Sequence, residues 1–131
     1  MTYTIPPKQR ERSLSEIEEI LSRPLPPKLL KSKKIGGKEI TYLSWYDAAK
    51  ILSKYCPNWT WEITKFESST DRVFLIGRLT IPTSEGNVYR EASGTERLDC
   101  SNYGDPSSNA ESMAFRRACA KFGLGLSLYQ K

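Results

Sequence analysis

Histidine is absent from this 131-residue sequence. The commonest general base, and the usual activator of a serine or cysteine nucleophile, is therefore missing, and no G-x-S-x-G is present, so hydrolysis by a Ser-His-Asp type triad is excluded. Cysteine is scarce: Cys56, Cys100 and Cys119 stand far apart with no C-x-x-C among them. Without histidine or paired cysteines a structural zinc site lacks its usual ligand set and is not expected, and an odd, scattered set argues against a secreted disulfide framework. The three read as reduced, partly buried small apolar residues. No hydrophobic run approaches the roughly 20 residues of a membrane helix, and the start, "MTYTIPPKQRER", has no apolar signal-peptide core. A cytoplasmic or nucleoid location is expected, with an organellar matrix compatible. Phosphate-loop chemistry also lacks its signature, because there is no G-x-x-x-x-G-K-[ST] and the glycines of "KFGLGL" follow a helical pattern instead of opening one. No cofactor is expected.

What is present is positive charge, unevenly spread. Lys and Arg outnumber Asp and Glu by 20 to 15, which gives a net +5. Between Arg23 and Lys54 the imbalance is sharper: Arg23, Lys28, Lys31, Lys33, Lys34, Lys38, Lys50 and Lys54 face only Glu39 and Asp47. Such a stretch favours a polyanionic partner, although a solubilising lysine-rich loop explains lysines alone equally well.

The length suits one domain with a core of its own. Residues 1–12 are polar, hold Pro6 and Pro7 and show no periodicity; they read as a flexible arm, and residues 13–131 as a single domain. "SLSEIEEIL" opens a short helix with a capping box at Ser13 and Glu16, stopped by Pro24, Pro26 and Pro27. "KLLKSKKIGGKEITYLSW" has the form of a β-hairpin around Gly36-Gly37. Ser44 and Asp47 start a second helix with Trp45, Ala48, Ala49, Leu52 and Tyr55 on one stripe. Three strands should follow. "WTWEITKFES" puts Trp59, Trp61 and Ile63 on one face, and "RVFLIGRLTIP" puts Val73, Leu75, Leu79 and Ile81 opposite Phe74, Ile76 and Arg78, with "NVYREASGTERL" as the more polar partner. The loop "DCSNYGDPSSN" leads into a final helix expected to be capped by Ser108 with Glu111 at N3 and closed by Gly123, with Met113, Ala114, Phe115, Ala118, Cys119 and Phe122 facing the core. The fold class is α+β: a three-stranded antiparallel β-meander plus an N-terminal β-hairpin, packed against helices around a β-β-β-α core.

The final helix carries the candidate function. At about 100° per residue, Arg117 and Lys121 stack one turn apart with Arg116 on the adjoining row, a basic ridge beside the buried stripe. If the hairpin and this helix flank one groove, Lys31, Lys33, Lys34, Arg116, Arg117 and Lys121 line it. Such a groove suits a phosphate backbone, because release of condensed counterions favours each neutralised phosphate irrespective of sequence, and arginine's fork binds phosphate oxygens in pairs. Tyr42, Tyr46, Tyr89 and Tyr103 are candidates to stack on the bases of a single strand. A rival reading is a metal-dependent nuclease using Glu91, Glu96 and Asp99, but strand alternation sends Glu96 away from the other two. A further alternative is a single-stranded nucleic-acid or RNA-binding module that does not anneal.

The order and spacing of "YLSWYDAAKIL" after a glycine turn, "PNWTWEI" opening the sheet and the final "AFRRACAKFGLGLSLY" resemble the Rad-fifty-two-like single-strand annealing proteins over most of residues 29–129. The resemblance implies a homo-oligomer, a ring, whose outer groove binds single-stranded DNA with bases outward and anneals complementary strands in recombination and repair, with no nucleotide cofactor and no enzymatic step. It implies that Arg116 and Arg117 match the family's adjacent basic pair and that Lys33 or Lys34 matches a basic position before the glycine turn. Lys121 sits one residue beyond the family's third basic position, held here by Ala120. The loop "SNYGDPSSN" lacks the basic residues some relatives carry there. The chain is also expected to lack the long tail by which larger relatives contact a recombinase or single-strand-binding protein, and these two stand only as further candidate partners.

Overall fold

The structure, a computed structural model, describes residues 11–100 and 105–130. Residues 1–10 of the expected arm, and Tyr103 with its loop, lie outside the described residues. Arg12 is anchored: its guanidinium donates to the Tyr55 carbonyl at 2.6 Å and its own carbonyl accepts from Ser84 N–H at 2.9 Å.

Helix α1, Leu14–Leu21, begins at the Ser13–Glu16 capping box that the S-x-x-E spacing requires and buries Ile17 and Leu21. Strands β1, Leu30–Ile35, and β2, Lys38–Leu43, pair antiparallel around Gly36 and Gly37, whose φ values of +57° and +81° make the two-residue turn. Helix α2, Trp45–Tyr55, is capped by Ser44, whose hydroxyl accepts from Asp47 N–H and donates to the Asp47 carboxylate at 2.8 Å. A separate sheet of order β3-β4-β5 follows: Thr60–Ser68, Arg72–Thr83 and Gly86–Arg97. Helix α3, Pro106–Lys121, covers its inner face, and a 3-10 turn at Leu126–Tyr129 ends the described chain. Two antiparallel sheets and three helices make the α+β architecture that the pattern implies.

Alternation in β4 is clean. Val73, Leu75, Leu79 and Ile81 are buried, while Phe74, Ile76 and Arg78 face the other side. In β3 the register skips Thr64, so that Ile63 pairs with Gly77 and Lys65 with Ile76. This bulge reverses the alternation past Ile63, and periodicity alone does not reveal it. The start of α3 also differs from the expectation. Asp105, not Ser108, is the N-cap: its carboxylate accepts from Ser108 N–H at 2.8 Å, and Pro106 fills the first turn, where no amide donor is needed. The Ser108 hydroxyl instead donates to Asp105 at 2.9 Å, and Glu111, freed from a capping box, accepts from the Trp61 indole at 2.8 Å.

Inside, Phe115 of α3 meets the rings of Trp59 and Trp61 at centroid distances of 5.7 and 5.2 Å, and Phe122, Leu52, Leu79 and Ile81 complete the main core. Gly123 follows α3 with φ +111°, the left-handed C′ position that glycine occupies at little cost. Close approach of α3 to the sheet depends on another glycine. A Cβ at Gly94 of β5 would collide with the Ala110 carbonyl oxygen, which is helix backbone and cannot turn aside. Gly94→Ala is therefore expected to lower stability by about 1–3 kcal/mol, as overpacking does. The urea midpoint checks it, and an unchanged midpoint would mean that α3 can lift off the sheet freely.

Candidate nucleic-acid interface

The hairpin and α3 meet through one aromatic ring. Tyr42 of β2 has the Lys33 ammonium 5.0 Å from its centroid and the Arg116 guanidinium carbon 5.3 Å from it. The negative π-face of the ring attracts both cations, worth about 0.5–1 kcal/mol each at an exposed site. Strand alternation explains the meeting: Tyr42 lies directly opposite Lys31 and two residues from Ile40, the partner of Lys33, so all four share one face of the hairpin. Lys31 donates to the Tyr46 hydroxyl at 2.6 Å, and this bond raises its pKa above the usual lysine value. Lys33 is shifted the other way. Desolvation of its ammonium, and then repulsion from Arg116, hold its pKa below the ordinary value.

Lys34 sits on the opposite face of β1, exposed, across from Glu39. The structure thus gathers Lys31 and Lys33 on the side of α3 and leaves Lys34 off it.

A cleft of about 360 Å³ runs between hairpin and helix, lined by Lys33, Ile40, Tyr42, Met113, Arg116 and Arg117 among others. An adjoining hollow of about 300 Å³ is bounded by Ser93, Arg117, Lys121 and Leu126. Arg117 and Tyr129 line both, so the two form one trough along α3. Arg117 donates to the Ser93 carbonyl at 3.1 Å, and Lys121 to the Glu91 carbonyl at 2.6 Å. Strand β5 is an edge of its sheet, and these side chains satisfy two of its outward carbonyls.

Among the described residues no ion pair includes Lys31, Lys33, Lys34, Arg116, Arg117 or Lys121. The carboxylates are engaged elsewhere. Glu91 pairs with Arg78 at 3.2 Å on the outer face of the sheet, Glu96 accepts from Asn109 at 3.3 Å, and Asp99 pairs with Arg97 at 2.9 Å. No three metal-ligating side chains converge among the described residues, so the nuclease reading finds no assembled centre there.

Residues 19–92 match the profile of the family described as Sak Single Strand Annealing Protein. The "DNA repair RAD52-like protein 1, mitochondrial" of Arabidopsis thaliana is 35% identical over 129 residues, covering 97% of this chain and 73% of the relative. The "DNA repair RAD52-like protein 2, chloroplastic" of the same plant is 37% identical over 124 residues, 92% of this chain and 62% of the relative. The chain belongs to the Rad52-like single-strand annealing family. The matched profile ends at Ala92, before α3, whereas the plant relatives align through nearly the whole chain.

Of the four tyrosines read from the sequence, Tyr42 and Tyr46 stand beside cations of the hairpin in this Rad52-like domain. Tyr89 lies on the far side of the sheet, over Arg78 at 4.3 Å. Sequence reading missed Tyr129, half-exposed and common to both halves of the trough. Only the turn at Gly125, with φ +74°, folds it back there, and no periodicity signals that. Arg90 was missed as well. It pairs with Glu18 at 3.3 Å, donates to the Lys121 carbonyl and lies 4.6 Å from the Phe122 ring, fastening the end of α3 to α1.

Two outcomes follow for binding of a single strand. Arg116→Ala with Arg117→Ala should weaken binding across sequences and flatten the dependence of log K on log salt by about 0.7 per lost phosphate contact, with folding preserved by circular dichroism; an unaltered slope would remove α3 from the interface. Lys33 deprotonates at lower pH than an ordinary lysine, and a bound phosphate favours its charged form. Affinity should therefore fall as pH rises through that lowered pKa, and Lys33→Arg should flatten the fall.

Proposed function

We propose that this chain binds single-stranded DNA along the trough and anneals complementary strands in DNA repair and recombination, without ATP, as a homo-oligomeric ring. The observation that carries the reading is the convergence of two separately encoded basic segments, the hairpin and α3, around Tyr42, with no carboxylate paired to their cations among the described residues. Lys33, Arg116, Arg117 and Lys121 supply positive charge along one line, with Lys31 at the hairpin end and Lys34 contributing from the far face of the same arm. Membership of the single-strand annealing family and likeness to plant proteins named for DNA repair support the same conclusion.

In this mechanism the protein makes and breaks no covalent bond. Phosphates of one strand give up their counterions to the trough and lose much of their repulsion toward a second strand. The strand is held extended with most bases accessible, so the encounter of complementary sequences no longer bears the full entropy of ordering both. The names of the relatives, mitochondrial and chloroplastic, favour an organellar matrix as the compartment. Among the described residues no helix is long and apolar enough to cross a membrane.

The test is pairing of two labelled complementary strands in nucleotide-free buffer, run beside a mass measurement of the free protein. Pairing well above the spontaneous rate, lost on Arg116→Ala with Arg117→Ala, is expected, together with a mass several times that of one chain. Tight binding without acceleration would make the domain a non-annealing binding module, and a monomeric mass would remove the ring.

A further inference from the structure

All three tryptophans of the chain line a single cavity, distinct from the trough. It measures about 340 Å³ and lies between α2, the start of β3 and the first turns of α3, bounded by Trp45, Trp59, Trp61, Glu111, Ser112 and Phe115. Two of the indoles are fixed: Trp59 donates to the Ser53 hydroxyl at 3.0 Å, and Trp61 to Glu111 Oε2 at 2.8 Å while lying over Gly77. Trp45 is different. Its ring is 52% exposed at the mouth, although it belongs to α2, whose Ala48, Ala49, Ile51, Leu52 and Tyr55 serve the core. An exposed indole beside an open aromatic hollow is a platform for a flat ligand.

The cavity also adjoins the trough. The main-chain carbonyl of Ser112, a residue of its wall, accepts from Arg116 Nε at 3.3 Å, and Arg116 lines the trough. On the other side the Trp45 ring packs edge-on against Tyr46 at 5.8 Å, and Tyr46 holds Lys31. A strand whose phosphates lie along Lys31, Lys33 and Arg116 thus passes the mouth, within reach of turning one base inward. Glu111 decides which base fits. An ionised carboxylate only accepts hydrogen bonds, and with Oε2 engaged by Trp61 its other oxygen and remaining lone pairs are available to donors of a ligand. Guanine presents two adjacent donors, N1–H and N2–H, on one edge; thymine presents a single donor flanked by acceptors.

We propose that the tryptophan cavity is a base-binding subsite, which takes one guanine from the strand held in the trough, stacks it against Trp45 and binds its donor edge through Glu111. This rests on the single-strand reading above. It adds a sequence preference to an otherwise phosphate-directed site, while leaving neighbouring bases free to pair.

Because every tryptophan borders the cavity, intrinsic fluorescence reports on it, and the anisotropy of a labelled strand reports on the trough. The probes are a thymidine 15-mer, the same strand carrying isolated guanines, and a strand of equal length made of abasic sites. The abasic strand should change anisotropy but leave the indole emission unaltered. The guanine strand should quench that emission and bind about tenfold tighter than the thymidine strand, the discrimination of one two-point contact. Glu111→Gln keeps an oxygen for Trp61 but loses the charge, and should abolish the guanine preference. Trp45→Leu, at an exposed ring, should do the same if the first variant folds poorly. Quenching by the abasic strand equal to that by the guanine strand overturns the proposal, as does a guanine preference that survives both variants. Quenching by arginine amide and by no strand overturns it in favour of a cationic side chain. No anisotropy change with any strand overturns the single-strand reading itself.

Discussion

Everything functional in this molecule depends on how closely α3 lies on the sheet. Gly94 brings the Ala110 backbone against β5, and Ala110, Ala114 and Ala118, each fully buried, keep the helix low along its length. Phe115 can then reach between Trp59 and Trp61. Small residues under the helix and one large residue at its side leave no rotational freedom about the helix axis. The next rows round the cylinder, Arg116 and then Arg117 with Lys121, are turned toward the hairpin and the β5 edge as a consequence. The direction of the basic face is a by-product of apolar packing.

Assembling those cations costs free energy that the protein offsets only in part. Desolvation, and after it repulsion from Arg116, holds the Lys33 ammonium below its usual pKa, and the Tyr42 ring between the two cations returns a fraction of that energy. Glu96 attracts Lys33 from a distance, but no carboxylate among the described residues forms an ion pair with these cations. A site left with uncompensated positive charge on an exposed surface is stabilised by whatever polyanion enters it, so the repulsion unrelieved in the free protein reappears as affinity in the complex.

How much of this could be read from the chain follows from which forces are local. Caps at Ser13 and Ser44, the Gly36-Gly37 turn and the alternation of β4 are set by neighbouring residues, and all were legible. Arg116, Arg117 and Lys121 could be placed on one side of a helix because helical geometry is fixed. What was not legible depends on meetings between distant segments. Lys34 was grouped with Lys33 by adjacency in sequence, yet strand alternation separates them. The cap at Asp105, followed by Pro106 at the first helical position, competed with a second local pattern at Ser108, and the bond of Glu111 to Trp61, 50 residues away, had no local signal. Tyr129 enters the trough only through a left-handed turn at Gly125.

In the proposed mode of binding Arg117 and Lys121 serve two ends at once, and the comparison with Arg90 shows why those ends can coexist. Arg117 and Lys121 donate to carbonyls of an exposed strand edge, where water can replace the donor at little loss. Arg90 is only 27% exposed in its side chain and joins an ion pair, a helix-terminal carbonyl and an aromatic face that water cannot serve together. The cations that, on the proposed reading, exchange a backbone oxygen for a phosphate oxygen are therefore those whose present bonds are cheapest to release. The one arginine nearby that fastens helix to helix is withdrawn from the trough. Folding and binding draw on the same residue type, and depth of burial separates the two uses.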